Sequence, residues 1–290
     1  MIAKFVSRVR AQGLVRTLKQ YEDALARQMS RNYKQNPQRF REMPFVRRQL
    51  TLVFDYVRTL VDKAFKALDH ALTDQRGIPM EELEEFDVRM VDSKRLNQDS
   101  IVYAFGVSGH IETEEQLAQA IGCTVHMFDP TPPALAFMET RVPDAKLPFD
   151  PIGVWTKSGP MRFYVDRRPE VKNLSVVNMY HTDSYIEAPC LTLQDIMKRK
   201  GHERIDLLKM DIEGSALPVV LHMLTDTDLR PDQIVCSLER PHFVFNASFS
   251  EVLHYLSQKM KLYKTLRDAG YRLVTYSVGD FTALRLPQEA

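Results

Sequence analysis

The stretch Ile101-Val-Tyr-Ala-Phe-Gly-Val-Ser-Gly-His110, continued by a helical segment and then by Cys123-Thr-Val-His-Met-Phe-Asp-Pro-Thr-Pro132, decides the fold. Ile101 to Phe105 is a short apolar run rich in β-formers, the pattern of a strand buried on both faces. Gly106 and Gly109 follow at once. Glu112 to Ile121 has helical spacing, with Leu117, Ala118 and Ile121 on one face, and Gly122 stands where a helix C′ glycine belongs. Thr124 to Phe128 is a second apolar strand, with Asp129 at its carboxyl end. Strand, glycine turn, helix, strand and terminal acid is an order that suits a nucleotide-like ligand. Glycines let the backbone approach the ligand closely. An acid about 20 residues on accepts hydrogen bonds from ribose hydroxyls. Gly106 and Asp129 are 23 positions apart. Any βαβ unit with a glycine turn shares part of this pattern; the Asp-Pro-Thr-Pro ending sets this stretch apart.

Downstream the alternation continues. Pro132 to Val142 reads as a short helix and Phe149 to Trp155 as a third strand. Met161 to Val165 is expected to pair behind the Lys157-Ser158-Gly159 turn as a hairpin. Residues 166–190 show little periodicity and hold Asn173, Ser175, Asn178, His181, Asp183 and Tyr185. A loop of that length is often a functional lid. Thr192 to Lys200 reads as a helix with a Thr192…Asp195 capping signature, closed by Gly201. Ile205 to Met210 is a fourth strand, running into Asp211-Ile-Glu-Gly214, and Ser215 to Leu224 is the next helix. Ile234 to Leu238 is a fifth strand, followed by Glu239-Arg-Pro-His242. Phe249 to Ala269 is a long helix. Tyr271 to Ser277 and Phe281 to Leu286 close the chain around Gly279-Asp280. Alternating strands and helices argue an α/β fold with a mostly parallel sheet, and the last two strands an antiparallel edge hairpin.

Upstream the chain changes character. Residues 1–50 hold 12 Lys/Arg and 3 Asp/Glu, whereas residues 51–100 hold 7 and 11. Residues 1–35 read as two helical pieces that change face at Gly13: Ile2, Phe5, Val6 and Val9, then Leu14, Leu18, Tyr21, Leu25 and Met29. Arg16, Lys19, Arg27 and Arg31 lie off the second apolar stripe. Such a basic helix can lie on an anionic membrane or on a partner protein, or simply cover the body of the protein. An Arg-rich, acid-poor start is also shared by organelle transit peptides. Phe45 to Leu72 carries an i, i+3, i+4, i+7 stripe, including Val53, Val57, Leu60 and Leu68, that needs a partner surface: the main domain or a second copy in a homodimer. Residues 1–92 are therefore expected to be a helical extension and 93–290 the domain that carries the chemistry.

Composition narrows the classes. With 290 residues, 44% hydrophobic and 27% charged, the chain has the balance of a soluble globular protein. Its net charge of +1 gives no ground for a nucleic-acid partner. No apolar run approaches the roughly 18 residues of a membrane span, and the N-terminus lacks a signal-peptide core. Cys123, Cys190 and Cys236 are widely spaced without a C-x-x-C, so neither a disulfide framework nor a cysteine zinc site is expected. Cys123 and Cys236 sit in or beside apolar strands, as inert core residues do. These features point to a cytoplasmic setting.

Val102-Tyr-Ala-Phe-Gly-Val-Ser-Gly109, Val125-His-Met-Phe-Asp-Pro-Thr-Pro132, Ile152-Gly-Val154 and Ile205-Asp-Leu-Leu-Lys-Met-Asp-Ile-Glu-Gly214 together resemble the FkbM-like methyltransferases. These belong to the class I superfamily that uses S-adenosylmethionine, and the likeness spans roughly residues 95–286. It implies a Rossmann-like, seven-stranded, mostly parallel sheet with an antiparallel edge hairpin, preceded here by the α-helical N-terminal extension. It implies S-adenosylmethionine as cofactor. Phe105, Gly106, Val107 and Gly109 would form the turn beneath the methionine part, and Asp129 with Pro130 would lie at the ribose. Gly153 would lie near the adenine, and Asp211 at the reacting end. Many relatives have an acid where this chain has Ala104, and a second one where it has Ala216.

Methyl transfer to oxygen needs a positioned donor, an aligned acceptor and a place for the acceptor's proton. Asp211, Glu213 and His242 are the candidate catalytic residues, with His181, Asp183 and Glu239 behind them. Glu213 also suits a cap on the following helix, and His181 or His242 suits an ordinary loop. His181 and Asp183 make too few ligands for a metal site, so no metal is expected. The leading expectation is O-methylation of a sugar or another small hydroxyl-bearing metabolite. A degenerate fold that works as a binding scaffold is the alternative that Ala104 and Ala216 favour. A nucleotide-cofactor oxidoreductase is a further one, but the turn is Gly106-Val-Ser-Gly109 and lacks the full G-x-G-x-x-G fingerprint.

Overall fold

The computed structural model describes residues 82–107, 109–166, 173–238, 249–275 and 279–286, with scattered positions between 38 and 67. The chain divides into two compact units, residues 1–68 and 69–290. In the first, the described positions from Gln38 to Ala67 are α-helical apart from Pro44. Leu52 there is buried, while Val53, Tyr56 and Leu60 are exposed. The two amphipathic pieces expected before residue 36 lie outside the described residues.

The second unit opens with a hairpin, β1 (Glu84–Phe86) and β2 (Arg89–Val91), turned through Asp87 at φ 53°. The expected domain boundary at residues 92/93 would cut this hairpin from the body. It belongs to the body instead: Phe86 and Val91 pack with the core beside Val102 and Leu117, and Leu83 packs on Val274 and Leu284. Next come β3 (Ile101–Phe105), α1 (Glu112–Ile121), β4 (Thr124–Phe128), α2 (Pro132–Glu139), β5 (Phe149–Asp150), β6 (Gly153–Val154), β7 (Gly159–Val165), β8 (Leu174–Ser175) and β9 (Tyr185–Leu191). The unit closes with α3 (Leu193–Lys200), β10 (Leu207–Met210), α4 (Ala216–Asp226), β11 (Gln233–Ser237), α5 (Phe249–Asp268), β12 (Tyr271–Thr275) and β13 (Asp280–Arg285).

Among the described residues the main sheet has seven strands in the order β12-β13-β11-β10-β3-β4-β5. It is parallel except for β13, which runs antiparallel to both β11 and β12. The antiparallel strand thus sits one in from the edge, and β12 is the edge. Strands buried on both faces explain the apolar runs. In β3, Tyr103 and Phe105 join the core shared with α3, α4 and α5, while Val102 and Ala104 join the core shared with α1. Helix ends follow the local rules. Gly122 and Gly201 close α1 and α3 in the left-handed conformation, and the Thr192 hydroxyl caps α3 by accepting the Asp195 N–H at 3.1 Å.

The third expected strand, Phe149 to Trp155, is two strands in different sheets. Pro151 cannot donate to a ladder, and the chain leaves the main sheet there. β6 begins a second sheet of order β6-β9-β7-β8. Met161 to Val165 is strand as expected, but it pairs with β9 and β8 and not back onto residues 149–155. The stretch 166–190, expected to be a lid, contains β8 and most of β9. Among the described residues no helix is long and apolar enough to cross a membrane.

Candidate functional site

The order of the main sheet reverses between β3 and β10: the chain builds outward through β4 and β5, then returns to build through β10 and β11. Ligands in open α/β sheets bind outside the carboxyl ends of the strands at such a reversal. Here those ends are Phe105 and Met210, and the turns that follow them touch. The Asp211 N–H donates to the Phe105 carbonyl at 3.0 Å. A Cβ on Gly106, which has φ 96°, would collide with the Asp211 carbonyl oxygen. Only glycine lets the first turn lie this close to the second.

Asp129 closes the same space from β4. One carboxylate oxygen accepts the Val107 N–H at 2.9 Å and the other the Thr131 N–H at 2.8 Å. Burial raises its pKa, against the pull of those N–H groups and of Lys209. The Gly106 N–H donates to the Phe128 carbonyl at 3.1 Å, and Phe105 stacks on Phe128 with centroids 4.8 Å apart. Phe105, Gly106, Asp129, Pro130 and Gly153 line one cleft with Ser175, Ile212 and Ser215. Gly153 is buried there; a Cβ on it would meet Cys190 Sγ at 2.6 Å and Pro130 at 3.1 Å. Burial pushes the Cys190 thiol up to about 12, with the Asp129 charge adding to it, so it stays a thiol. Val107 is buried behind the turn, and Gly109 (φ 102°) is exposed beyond it. All three cysteines are buried and carry thiols, not disulfides.

Asp211 and Glu213, expected to face the reacting end together, have different partners. Asp211 Oδ2 lies 2.5 Å from a terminal nitrogen of Arg89. Glu213 has φ 47°, a conformation costly for a residue with a Cβ. Its carboxylate accepts the Asn173 amide at 2.5 Å and faces the Tyr180 hydroxyl at 3.5 Å, while its carbonyl accepts the Ser175 hydroxyl at 2.5 Å. The N-cap of α4 is Ser215. His181 also has positive φ, 49°, and its Nε2 is 3.5 Å from Glu251. Asp183 is exposed. Among the described residues no three His, Cys, Asp or Glu side chains gather as a metal site. His242 and Glu239 lie outside the described residues.

A groove of about 640 Å³ adjoins this turn, lined by Val177, Met179, His181, Gly214, Leu217 and Tyr255 among others. It shares a wall with the cleft. The segment 174–176 and Ser215 face the cleft, while Val177 to Met179 and Gly214 face the groove. A larger cavity of about 980 Å³ lies between α1, α2 and residues 140–149 and shares no residue with the cleft.

Sequence reasoning missed the charged residues behind the site. Lys209 on β10 is the register neighbour of Ala104, and its ammonium meets Glu114 of α1 at 2.7 Å, with side chains 9% and 2% exposed. The pair joins the strand beside β3 to α1. Arg89 was missed because it falls within residues 1–92, which read as a helical extension. The alternation Phe86, Arg89, Val91 around a tight turn was the available sign of a hairpin.

Glycine turn, terminal acid and switch point define a Rossmann-type cleft. Residues 101–273, more than half of the chain, match the methyltransferase FkbM domain, and the protein belongs to that family of methyltransferases. No curated protein matches the chain.

Proposed function

We propose that the protein transfers a methyl group from S-adenosylmethionine to a hydroxyl of a small acceptor, a sugar or comparable metabolite. The observation that carries this reading is Asp129, half-buried and hydrogen-bonded to the glycine turn at the sheet's switch point. The residues fit the cofactor. The Gly106 turn allows close backbone approach, Asp129 would offer carboxylate oxygens to ribose hydroxyls, and Pro130 with Gly153, which line the same cleft, would lie at the adenine end. S-adenosylmethionine supplies an electrophilic methyl group when bound. The protein's part is positioning, the larger share of such a rate, and a place for the hydroxyl proton. Glu213 is our candidate for that acceptor, since Asn173 orients it and Asp211 is turned to Arg89. The groove beside Gly214 is the candidate acceptor site, being concave, partly apolar and one turn from the cleft.

Calorimetric titration with S-adenosylmethionine, S-adenosylhomocysteine and NAD tests this. The first two should bind in the micromolar range and NAD should not. Asp129→Ala should weaken both by roughly 10- to 100-fold, as the loss of charge-assisted hydrogen bonds does. Binding of NAD, or unchanged affinity in the variant, would overturn the reading.

A further inference from the structure

The groove beside Gly214 separates its apolar and polar residues by depth. Met179 and Leu217 form the floor, 7% and 8% exposed, with Pro218 and Tyr255 half-buried beside them. Asn178, Glu251 and His254 stand exposed at the rim, where His181 Nε2 lies 3.5 Å from Glu251. Val177, 36% exposed, is the apolar residue of that rim.

Backbone strain marks the same place. Among the described residues three non-glycine residues have a left-handed backbone, and two of them, His181 and Glu213, lie in or next to this lining. Such strain persists where the surroundings enforce it, and it gathers at ligand sites. Around His181 the enforcement is visible. The Asn178 side chain donates to the Thr182 carbonyl at 2.9 Å and accepts the Thr182 N–H at 3.1 Å, which pins the turn.

A buried apolar floor under a polar rim suits one kind of acceptor. An unsubstituted sugar carries hydroxyls around its ring, and those set against Met179 and Leu217 would lose water without gaining a partner. An alkyl chain or apolar ring system gains from burial there. At about 640 Å³ the groove has the size of a site for a drug-sized molecule. We propose that it takes an amphiphile: the acceptor hydroxyl is carried on an apolar chain or ring system that lies over Met179, Leu217 and Tyr255, with its polar groups at the rim formed by Asn178, His181 and Glu251. This rests on the reading that the groove is the acceptor site. It narrows the acceptor to sugars or alcohols joined to an apolar body.

The test is NMR on the full chain, carbon-13 labelled at the methionine methyls. It is titrated with methyl, hexyl and octyl β-glucoside below their micelle thresholds, with and without S-adenosylhomocysteine. Met179 reports on the groove and Met138 on the larger cavity beside α2. Met179→Leu and Met138→Leu assign the two signals. Octyl glucoside should shift the Met179 signal and bind roughly 30- to 100-fold more tightly than methyl glucoside, as partial burial of the longer chain gives. Val177→Asp, at an exposed position, should cut that gain to below about fivefold by setting a charge beside the chain. Equal affinity across the series would overturn the proposal whether or not Val177→Asp folds. So would a shift at Met138 without one at Met179, or the full gain kept in Val177→Asp. If S-adenosylhomocysteine binds and the series is flat, the cofactor reading stands and the amphiphile falls. If octyl glucoside fills the groove and S-adenosylhomocysteine does not bind, the ligand class stands and the cofactor reading fails.

Discussion

Asp211 and Glu213 stand two residues apart and answer to different parts of the molecule, Asp211 to Arg89 and Glu213 to Asn173 and Tyr180. Their type and spacing were legible in the sequence; their partners were not. The left-handed backbone at Glu213 turns the chain sharply between the two, and only the packing around it holds that conformation. A second residue-scale consequence concerns His126. It lies edge-on to Tyr103 and His202, with centroids 5.7 and 4.8 Å away. Burial, then the His202 and Lys200 charges, lower its pKa to about 4. The unfolded value is about 6.5, so the unfolded chain takes up this proton first as the pH falls. Stability from the neutral ring is complete above pH 6.5 and is lost as the pH falls from 6.5 towards 4. With the ring partly accessible, the loss by pH 4.5 should be about 2 kcal/mol. Urea unfolding at pH 7 and pH 4.5 checks it: His126→Gln should lose about 2 kcal/mol less than the unaltered protein. Equal losses would show that the ring titrates normally in the fold.

At the scale of elements, the Lys209–Glu114 pair ties β10 to the first turn of α1, the helix that leads out of the glycine turn. Both groups are nearly sealed from water, so removing one partner strands the other. Glu114→Ala should destabilise the protein by about 3 kcal/mol, whereas Glu114→Leu combined with Lys209→Met should be near neutral. Denaturant unfolding at pH 7 measures both. If the single and double variants lose the same amount, the pair is not acting as a buried ion pair. The central strands of the main sheet were readable because they are mostly apolar runs covered on both faces. β9 escaped because it alternates. Ala188 and Cys190 turn inward while Tyr185, Glu187 and Pro189 turn out, and the inward residues are small. Its partners were equally hidden, since Gly153 of β6 pairs with Cys190 and Tyr164 of β7 with Tyr185, 37 and 21 positions away.

For the whole molecule, the compact unit 69–290 contains the seven-stranded sheet, the cleft and the hairpin with Arg89. A chain of residues 69–290 should therefore fold alone and bind S-adenosylhomocysteine within about threefold of the full chain. Calorimetry with a thermal melt checks this, and loss of cooperative melting would show that the basic N-terminal unit completes the core. The sequence by itself determined the alternation of strands and helices, the glycine turn and the terminal acid. Those features lie in local periodicity and in residue types that few backbone conformations tolerate. Tertiary structure alone decided that Arg89 meets Asp211 across 122 positions, that Glu114 answers Lys209 across 95, and that a second sheet walls the cleft. Charge pairs and strand pairings at such separations leave no local pattern, because they arise only when the sheet brings distant segments to one face.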